Sequence, residues 1–229
     1  GQDSLTGGAG ADIISGGGEV DTIVGGDEAD VITGGAGDDN LTGDAGNDTF
    51  HVDSGSDIIT DLGGTAGGQS DVLIVYATAT ANATNVVNFT ALNTTKNDSS
   101  DASNAVLTSK DGENTTIDVS AATGTSGAFT LTGGTGQDSL TGGAGADIIS
   151  GGGADDTIYI NASGEGDSDV MDGGTGSDTL QVSTGTHTFS SNGNLSNIST
   201  ILADVSGSTI NLDGQNESFT ITGNNGDDT

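Results

Sequence analysis

Residues 7–24 read GGAGADIIS GGGEVDTIV, two successive nine-residue units that share glycine at the first two positions, aspartate at the sixth and isoleucine at the eighth. The spacing extends in both directions from this stretch. Seven aspartates follow one another at intervals of nine residues: Asp3, Asp12, Asp21, Asp30, Asp39, Asp48 and Asp57. Two residues after each comes an apolar side chain: Leu5, Ile14, Ile23, Ile32, Leu41, Phe50 and Ile59. A fixed period of this kind predicts a repeat architecture.

A second array of the same unit begins at Gly133 with GGTGQDSLT. Its aspartates Asp138, Asp147 and Asp156 are in phase, and the phase then slips by four residues before Asp169 and Asp178 resume it. We expect Tyr159–Ser163 to bulge out as a longer turn that absorbs the slip. The stretch 1–18 is identical to 136–153, which indicates that one unit was copied within the chain.

The unit itself indicates a short turn followed by a short strand. Glycine pairs permit the backbone angles of a tight turn, and the remaining residues suffice for a strand with one side chain pointing inward. Two units complete a coil of eighteen residues, and successive coils stack as parallel strands about 4.8 Å apart. The aspartates of alternate units therefore form two columns, with Asp12, Asp30 and Asp48 in one and Asp3, Asp21, Asp39 and Asp57 in the other.

Stacked carboxylates repel one another. At about 5 Å and an effective dielectric near 20, each pair costs roughly 3 kcal/mol, and several pairs rival the stability of a small domain. A hard divalent cation that takes six or more oxygen ligands suits the gap, and calcium fits better than magnesium or zinc. The first array offers five such pairs, whereas the second offers only Asp138 with Asp156 before the slip. Asp71, just beyond the first array, is either a cap on its column or a structural turn residue.

The unit resembles the RTX nonapeptide G-G-x-G-x-D-x-U-x, and the resemblance covers about half of the chain. It implies an all-β fold, a calcium-stabilised parallel β-roll (a β-helix solenoid) whose arrays are interleaved with β-rich segments. In that family the sixth-position aspartates and backbone carbonyls hold several Ca²⁺ ions between neighbouring coils. Carried over by position, the ligands are Asp3, Asp12, Asp21, Asp30, Asp39, Asp48, Asp57, Asp138, Asp147, Asp156, Asp169, Asp178 and Asp228.

Some units depart from the pattern. Glu19, Glu28 and Ala154 replace a turn glycine, and Asp44 replaces a leading glycine. We expect the turns at these positions to bind weakly or to be distorted.

Composition agrees with a cation-dependent fold. The chain has 34 acidic residues against 2 basic ones, a formal net charge of −32, and only 31% apolar residues. Nucleic acid is therefore an implausible partner. Cysteine is absent, which excludes disulfides and thiolate metal sites as the cross-link. No apolar run is long enough to span a bilayer, and residues 1–10 do not resemble a signal peptide.

Between the arrays the composition changes to Thr, Val, Ile, Ala and Asn with partial alternation, which is typical of strands. This insert either continues the solenoid with longer coils, which we prefer, or forms a small β-sandwich. The expected division is residues 1–75 for the first roll array, 76–130 for a β-rich insert, 131–182 for the second array, 183–222 for a second insert, and 223–229 for the start of a further repeat.

No catalytic constellation is evident, so we expect no enzymatic activity. His51 and His187, the two histidines, lie in different strand candidates and match no metalloprotease spacing. No serine lies in a G-x-S-x-G elbow, and the paired carboxylates follow from the repeat itself.

The sequence is compatible with three functional hypotheses. The first is a structural segment of a secreted protein of the bacterial cell surface, in a surface layer, sheath or filament that self-assembles outside the cell in calcium. The second is the stalk of a large RTX adhesin. The third is the C-terminal module of a secreted enzyme. The RTX resemblance implies type I secretion in each case.

Overall fold

The structure is a computed structural model that describes residues 1–63, 69–99, 104–124, 127–161, 168–203 and 207–223. These residues form twenty-four short β-strands and no α-helix. The strands wind into a parallel β-solenoid of about nine turns, as the repeat predicted. No helix in the described part is long and apolar enough to cross a membrane.

The first eight strands alternate between two sheets. They are β1 (Ser4–Ala9), β2 (Ile13–Gly18), β3 (Thr22–Asp27), β4 (Val31–Ala36), β5 (Asn40–Ala45), β6 (Thr49–Val52), β7 (Gly55–Ile59) and β8 (Val72–Val75). Odd-numbered strands of this group lie in sheet I and even-numbered ones in sheet II. Ile23 pairs with Leu41, eighteen residues later, so each coil holds two nine-residue units.

The middle strands are β9 (Ala79–Val86), β10 (Phe89–Thr90), β11 (Lys96–Asn97), β12 (Ala105–Ser109), β13 (Thr116–Asp118) and β14 (Thr130–Thr132). Sheet I runs without interruption through β7, β9, β12 and β14, and sheet III starts with β10 and β13. The insert is therefore a continuation of the solenoid rather than a separate sandwich. Its coils are longer, since Ala81 pairs with Ala105, twenty-four residues later.

The last strands are β15 (Ser139–Thr141), β16 (Ile148–Ser150), β17 (Thr157–Ile160), β18 (Val170–Asp172), β19 (Thr179–Val182), β20 (Gly185–Thr188), β21 (Leu195–Ser196), β22 (Thr200–Ala203), β23 (Ser208–Asn211) and β24 (Thr220–Gly223). Sheet I ends with β16, β18 and β21, sheet III with β15, β17, β19, β22 and β24, and β20 pairs with β23 in a small sheet IV. All pairings between these strands are parallel.

The expected bulge at Tyr159–Ser163 is wrong for its first two residues. Tyr159 and Ile160 belong to β17 and pair with Gln181 and Val182, so they are not looped out. Residues 162 and 163 lie outside the described part of the chain. Residues of β17 pair with residues twenty-two positions later in β19, which is one eighteen-residue coil plus the four-residue slip. The extra residues follow Ile160, whose side chain is buried and whose strand pairing is kept.

Apolar side chains from the facing sheets fill the interior. Five of the seven predicted inward residues, Ile23, Ile32, Leu41, Phe50 and Ile59, have no exposed surface. Leu5 and Ile14, on the outermost strands β1 and β2, are partly buried against the same core. The core continues through the insert with Phe89, Leu107, Ile117 and Phe129.

A matched pair of substitutions in β7 tests this core. Ile59 is fully buried, whereas Ile58 is 41% exposed on the outer face. We expect Ile59→Ala to lower the free energy of unfolding by about 2–5 kcal/mol, because it leaves a cavity between stacked coils. Ile58→Ala should cost less than about 1 kcal/mol. Urea denaturation in saturating calcium measures both, and equal losses would contradict the assignment of the inner face.

Candidate metal sites

In most units the sixth-position aspartate lies immediately before a strand, where the turn meets the sheet, whereas Asp57 lies within β7. Asp21, Asp30, Asp39, Asp48 and Asp57 in the first array, and Asp138, Asp147, Asp156, Asp169 and Asp178 in the second, are at most 4% exposed. Asp12 is half-buried and Asp3 is exposed. Asp228 lies outside the described residues.

Consecutive coils connect these aspartates by one repeated hydrogen bond. The backbone N–H of each aspartate donates to Oδ1 of the aspartate one coil later. In one column Asp3 donates to Asp21, Asp21 to Asp39 and Asp39 to Asp57, at 2.7, 2.8 and 3.1 Å. In the other, Asp12 donates to Asp30 and Asp30 to Asp48, at 2.7 and 2.8 Å. The two predicted columns are therefore present, and each accepting carboxylate has one oxygen bonded to the backbone.

Asp71 extends the second of these columns. Its Oδ1 accepts from the backbone N–H of Asp48 at 2.9 Å, and its Oδ2 accepts from Gly63 at 2.7 Å. Asp71 therefore caps the column, as one of its two interpretations had it, rather than serving only as a turn residue. Asp71 lies twenty-three residues after Asp48 rather than eighteen, so the nine-residue spacing does not identify it. The segment Asp71-Val72-Leu73 nevertheless matches the aspartate-x-apolar pattern of the repeat.

The second array holds more connected aspartates than its spacing suggested. Asp138 donates to Asp156 as predicted, at 2.8 Å. Asp147 also donates to Asp169 and Asp156 to Asp178, at 2.8 and 2.9 Å, across the four-residue slip. The spacing predicted the one pair before the slip and did not predict the two across it, which form because the extra residues leave the pairing of the flanking strands unchanged.

The second carboxylate oxygen, Oδ2, is left without a partner at many of these positions. In the described part of the chain, this atom is buried and accepts no hydrogen bond in Asp12, Asp21, Asp30, Asp39, Asp57, Asp156 and Asp178. A buried acceptor in this state costs about 1–3 kcal/mol, and more when it is charged. By contrast, Oδ2 of Asp138 and Asp147 accepts from Gly134 and Gly143 at 2.9 and 2.8 Å.

The leading glycine of each unit leaves room beside this oxygen. A Cβ placed on Gly7 would lie 2.5 Å from Asp12 Oδ2 and 2.7 Å from the carbonyl oxygen of Gly25 in the next coil. A Cβ on Gly34 would meet Oδ2 of both Asp39 and Asp57, at 2.5 and 3.0 Å. Carboxylate and carbonyl oxygens of adjacent coils therefore converge on a space that only glycine keeps open.

This donor set fits a hard cation. Calcium takes six to eight oxygen ligands from carboxylates, backbone carbonyls and water. The described residues contain no group of three or more His, Cys, Asp or Glu side chains placed to hold a metal. An ion at these sites would consequently rely on two carboxylates and backbone carbonyls, which excludes the tetrahedral nitrogen and sulfur set that zinc prefers.

The protein supplies no cation of its own to the columns. Of its two basic residues, Lys96 pairs with Asp98 at 2.5 Å and Lys110 with Glu113 at 3.6 Å, both in the insert.

Burial raises the pKa of Asp57 to about 7 and the pKa values of Asp48 and Asp156 to about 6, and repulsion from neighbouring carboxylates adds to the effect. The pKa values of Asp39, Asp71 and Asp178 are raised for the same main reason.

The irregular turns keep the backbone of the regular ones. Glu19, Glu28, Asp44 and Ala154 have φ values of 75°, 70°, 67° and 73°, in the left-handed region that the equivalent glycines also occupy. These side chains are strained there by about 1 kcal/mol each, since only glycine adopts such angles freely. The backbone at these positions thus follows the repeat, whereas their affinity for a cation stays a prediction.

The two histidines lie apart from the columns. His51 is stacked on Tyr76 with ring centroids 6.1 Å apart. His187 is fully buried, and its Nε2 lies 3.1 Å from the carbonyl oxygen of Ser183.

The raised pKa values make the calcium-free roll acid-stabilised. An aspartate with a folded pKa near 6 or 7 and an unfolded value near 4 binds more protons in the folded state between those pH values. The stabilising contribution is complete below about pH 4 and is lost as the pH rises through about 7. We expect the β-sheet circular dichroism signal of the chain in resin-treated, calcium-free buffer to increase from pH 7.5 to pH 5.

The control for this experiment is Asp57→Asn, which removes the carboxyl with the highest of these pKa values. Its signal should change less between pH 7.5 and 6 than that of the unaltered chain. A β-sheet signal that stays constant or falls on acidification would contradict the assignment of buried, unneutralised carboxylates.

Comparison with known proteins supports the same interpretation. A model of the RTX calcium-binding nonapeptide repeat matches the chain in four copies, at residues 1–23, 24–59, 123–159 and 162–181. No curated protein and no solved structure matches the chain. The family match covers about half of the sequence and includes both arrays of stacked aspartates. On this match, and on the β-roll that carries it, the chain belongs to the RTX calcium-binding nonapeptide repeat family.

Proposed function

We propose that this chain is a calcium-binding structural segment of a secreted bacterial surface protein, in a surface layer, sheath or extracellular filament, which folds and assembles on extracellular calcium. The observation that carries the proposal is the set of buried carboxylate oxygens without a hydrogen-bond donor, stacked coil upon coil. The β-roll itself is a structural calcium-binding domain and is not catalytic.

The ligands in this proposal are the sixth-position aspartates of both arrays. They are Asp3, Asp12, Asp21, Asp30, Asp39, Asp48, Asp57, Asp138, Asp147, Asp156, Asp169 and Asp178, together with Asp228 beyond the described residues. Where Oδ2 is buried without a partner, it would bind the ion, while Oδ1 of Asp21, Asp30, Asp39, Asp57, Asp156 and Asp178 keeps its backbone hydrogen bond. Residues 1–75 and 131–182 are then calcium-loaded blocks, and 76–130 and 183–222 are held mainly by apolar packing.

Calcium would replace the repulsion between stacked carboxylates with a contact that links two coils. Without a cation, the stacked carboxylates are desolvated and repel one another, which opposes folding. A bound ion replaces lost hydration with a shared contact between two coils. Binding free energy then becomes folding free energy, because the site does not exist in the open chain.

The expected location is extracellular, on the bacterial cell surface. Proteins with RTX repeats are in general secreted, which supports this location. Extracellular calcium modules function with dissociation constants of about 10⁻⁴ to 10⁻³ M, a range in which the chain would stay open inside the cell and fold outside it. Export by a type I system is consistent with such a chain.

A calcium titration followed by far-ultraviolet circular dichroism tests the proposal. From a chelated start near neutral pH, we expect a cooperative gain of β-sheet signal with calcium and little gain with the same concentration of magnesium, whose coordination geometry is stricter. A chain that is already fully folded in chelator, or that folds equally with magnesium, would overturn calcium-driven folding.

A substitution in the first array tests the column. Asp30 hydrogen-bonds through both its backbone N–H and its Oδ1, and its Oδ2 is buried without a partner. We expect Asp30→Asn to raise the calcium midpoint for folding several-fold, since it weakens two neighbouring sites. Asp27→Asn is the matched control, because Asp27 is exposed and its substitution removes the same charge. Equal shifts for the two variants would refute the column.

A glycine substitution tests the space beside the carboxylates. We expect Gly34→Ala to weaken calcium binding, because its methyl group would occupy the point on which Asp39 and Asp57 converge. Gly18→Ala serves as control, since a Cβ there meets nothing within 4 Å. Isothermal titration calorimetry should give fewer sites or a several-fold weaker affinity for Gly34→Ala only, and unchanged binding would exclude this space as the site.

A further inference from the structure

A second set of hydrogen bonds joins the coils beside the aspartate columns. It involves the fifth position of the nine-residue unit, the residue directly before the sixth-position aspartate. Here Oδ1 of an Asp or Asn side chain accepts from the backbone N–H of the corresponding residue one coil later. The donor and acceptor pairs, 2.8 or 2.9 Å apart, are Ser56 with Asp38, Ser70 with Asn47, Gln137 with Asn114, and Ser177 with Asp155.

These bonds run in the direction opposite to those of the columns. Where Asp48 meets Asp71, the backbone of the earlier coil donates to the carboxylate of the later coil, at 2.9 Å. Directly beside this bond, the backbone of Ser70 in the later coil donates to Asn47 in the earlier coil. We call the two bonds a reciprocal pair. The other three contacts complete it with bonds of 3.1, 2.8 and 2.9 Å from Asp39 to Asp57, Thr115 to Asp138, and Asp156 to Asp178.

Three of the four reciprocal pairs lie where the coils are longer than eighteen residues. The partners of Asn47, Asn114 and Asp155 are 23, 23 and 22 residues away. The first contact ends the regular spacing of the first array, the second joins the insert to the second array, and the third crosses the four-residue slip. Several regular coils have instead a fifth-position residue without a side-chain oxygen, namely Ala11, Val20 and Ala29.

A fifth-position bond restrains the residue directly before the next aspartate. Ser70 precedes Asp71, and Gln137 precedes Asp138. Because the entropic cost of closing a loop grows only slowly with its length, chain length alone does not determine where a longer coil rejoins the stack. Local side-chain oxygens of Asn and Asp readily accept from backbone N–H groups, and such a bond needs no cation.

We infer that the fifth-position Asp or Asn is a positioning residue for the calcium ligands, which holds the following aspartate in register with the coil below. The residues with this role are Asp38, Asn47, Asn114 and Asp155. The inference deepens the proposed function, on which it rests, by naming residues outside the aspartate columns that determine calcium affinity where the coils change length.

The hydrogen bond has to be separated from the charge at this position. Burial is the main cause of the raised pKa of Asp57, and the charge of Asp38 adds to it. Asp38→Asn and Asp38→Ala remove the same charge, but only the asparagine variant keeps an oxygen that accepts from Ser56. Alanine occupies the fifth position in other units of the chain, at Ala11 and Ala29, so the turn accommodates it.

A calcium titration by circular dichroism compares these two variants. We expect the calcium midpoint for folding to be about fivefold higher for Asp38→Ala than for Asp38→Asn, which is the change that the loss of one hydrogen bond produces. Equal midpoints would overturn the positioning role.

Amide hydrogen exchange gives a readout that a general loss of stability does not reproduce. In saturating calcium, the Ser56 amide should exchange about tenfold faster in Asp38→Ala than in Asp38→Asn, because its acceptor is lost. The Asp21 amide, which donates to Asp39 one coil away, is the internal control and should exchange equally in both. An increase shared by Ser56 and Asp21 would indicate general destabilisation and would also overturn the role.

A gain of affinity tests the same bond at a contact that lacks it. Asp147 donates to Asp169 across the slip, but the fifth position before Asp147 is Ala146. We expect Ala146→Asn to lower the calcium midpoint about threefold, by offering an acceptor to the backbone N–H of Ser168. Ala144→Asn, at an exposed position of the same turn, is the control. Equal midpoints for these two variants would contradict the inference.

The outcomes distinguish this inference from the proposed function. A chain that folds in calcium, and whose Asp38 variants have equal midpoints and equal Ser56 exchange, would overturn the positioning role and leave calcium-driven folding intact. An unaltered chain that gains no β-sheet signal with calcium would overturn the proposed function, and the positioning of calcium ligands with it.

Discussion

Repulsion between stacked, buried carboxylates is the constraint on which the rest of this structure depends. Each coil places an aspartate beneath the aspartate of the next, with one oxygen bonded to backbone and the other often without a donor. The interior offers one apolar side chain per strand at many positions, which is a thin core for 229 residues. A cation between coils would relieve this repulsion, and burial together with neighbouring carboxylates raises the pKa values of Asp48, Asp57 and Asp156.

The parts of the fold that follow from strict spacing could be predicted from the sequence. Aspartates nine residues apart predicted the two columns, and the apolar residue two positions later predicted the inner face at Ile23, Leu41 and Ile59. These features depend only on local geometry repeated in register. Where Glu19 or Asp44 replaces glycine, the backbone keeps a positive φ, so the repeat can still be recognised in the neighbouring units.

The features that spacing missed depend on contacts between distant residues. Asp71 joins a column from twenty-three residues away, and Asp147 reaches Asp169 across the slip, because strand pairing rather than chain length determines which side chains meet. The appearance of a third sheet in the insert is likewise a property of longer coils. No local motif in the insert indicates how many sides its coils have.

The unequal coil lengths of the insert have a consequence for folding. Nearly identical units, including the exact copy of residues 1–18 at 136–153, stack almost equally well when shifted by a whole coil, so the arrays alone permit many mispaired alignments. The insert breaks that degeneracy, since Ala81 with Ala105 and Phe89 with Ile117 are pairings of unlike spacing that no shifted alignment reproduces. The apolar packing of the insert thus fixes the register in which the repeats on either side pair.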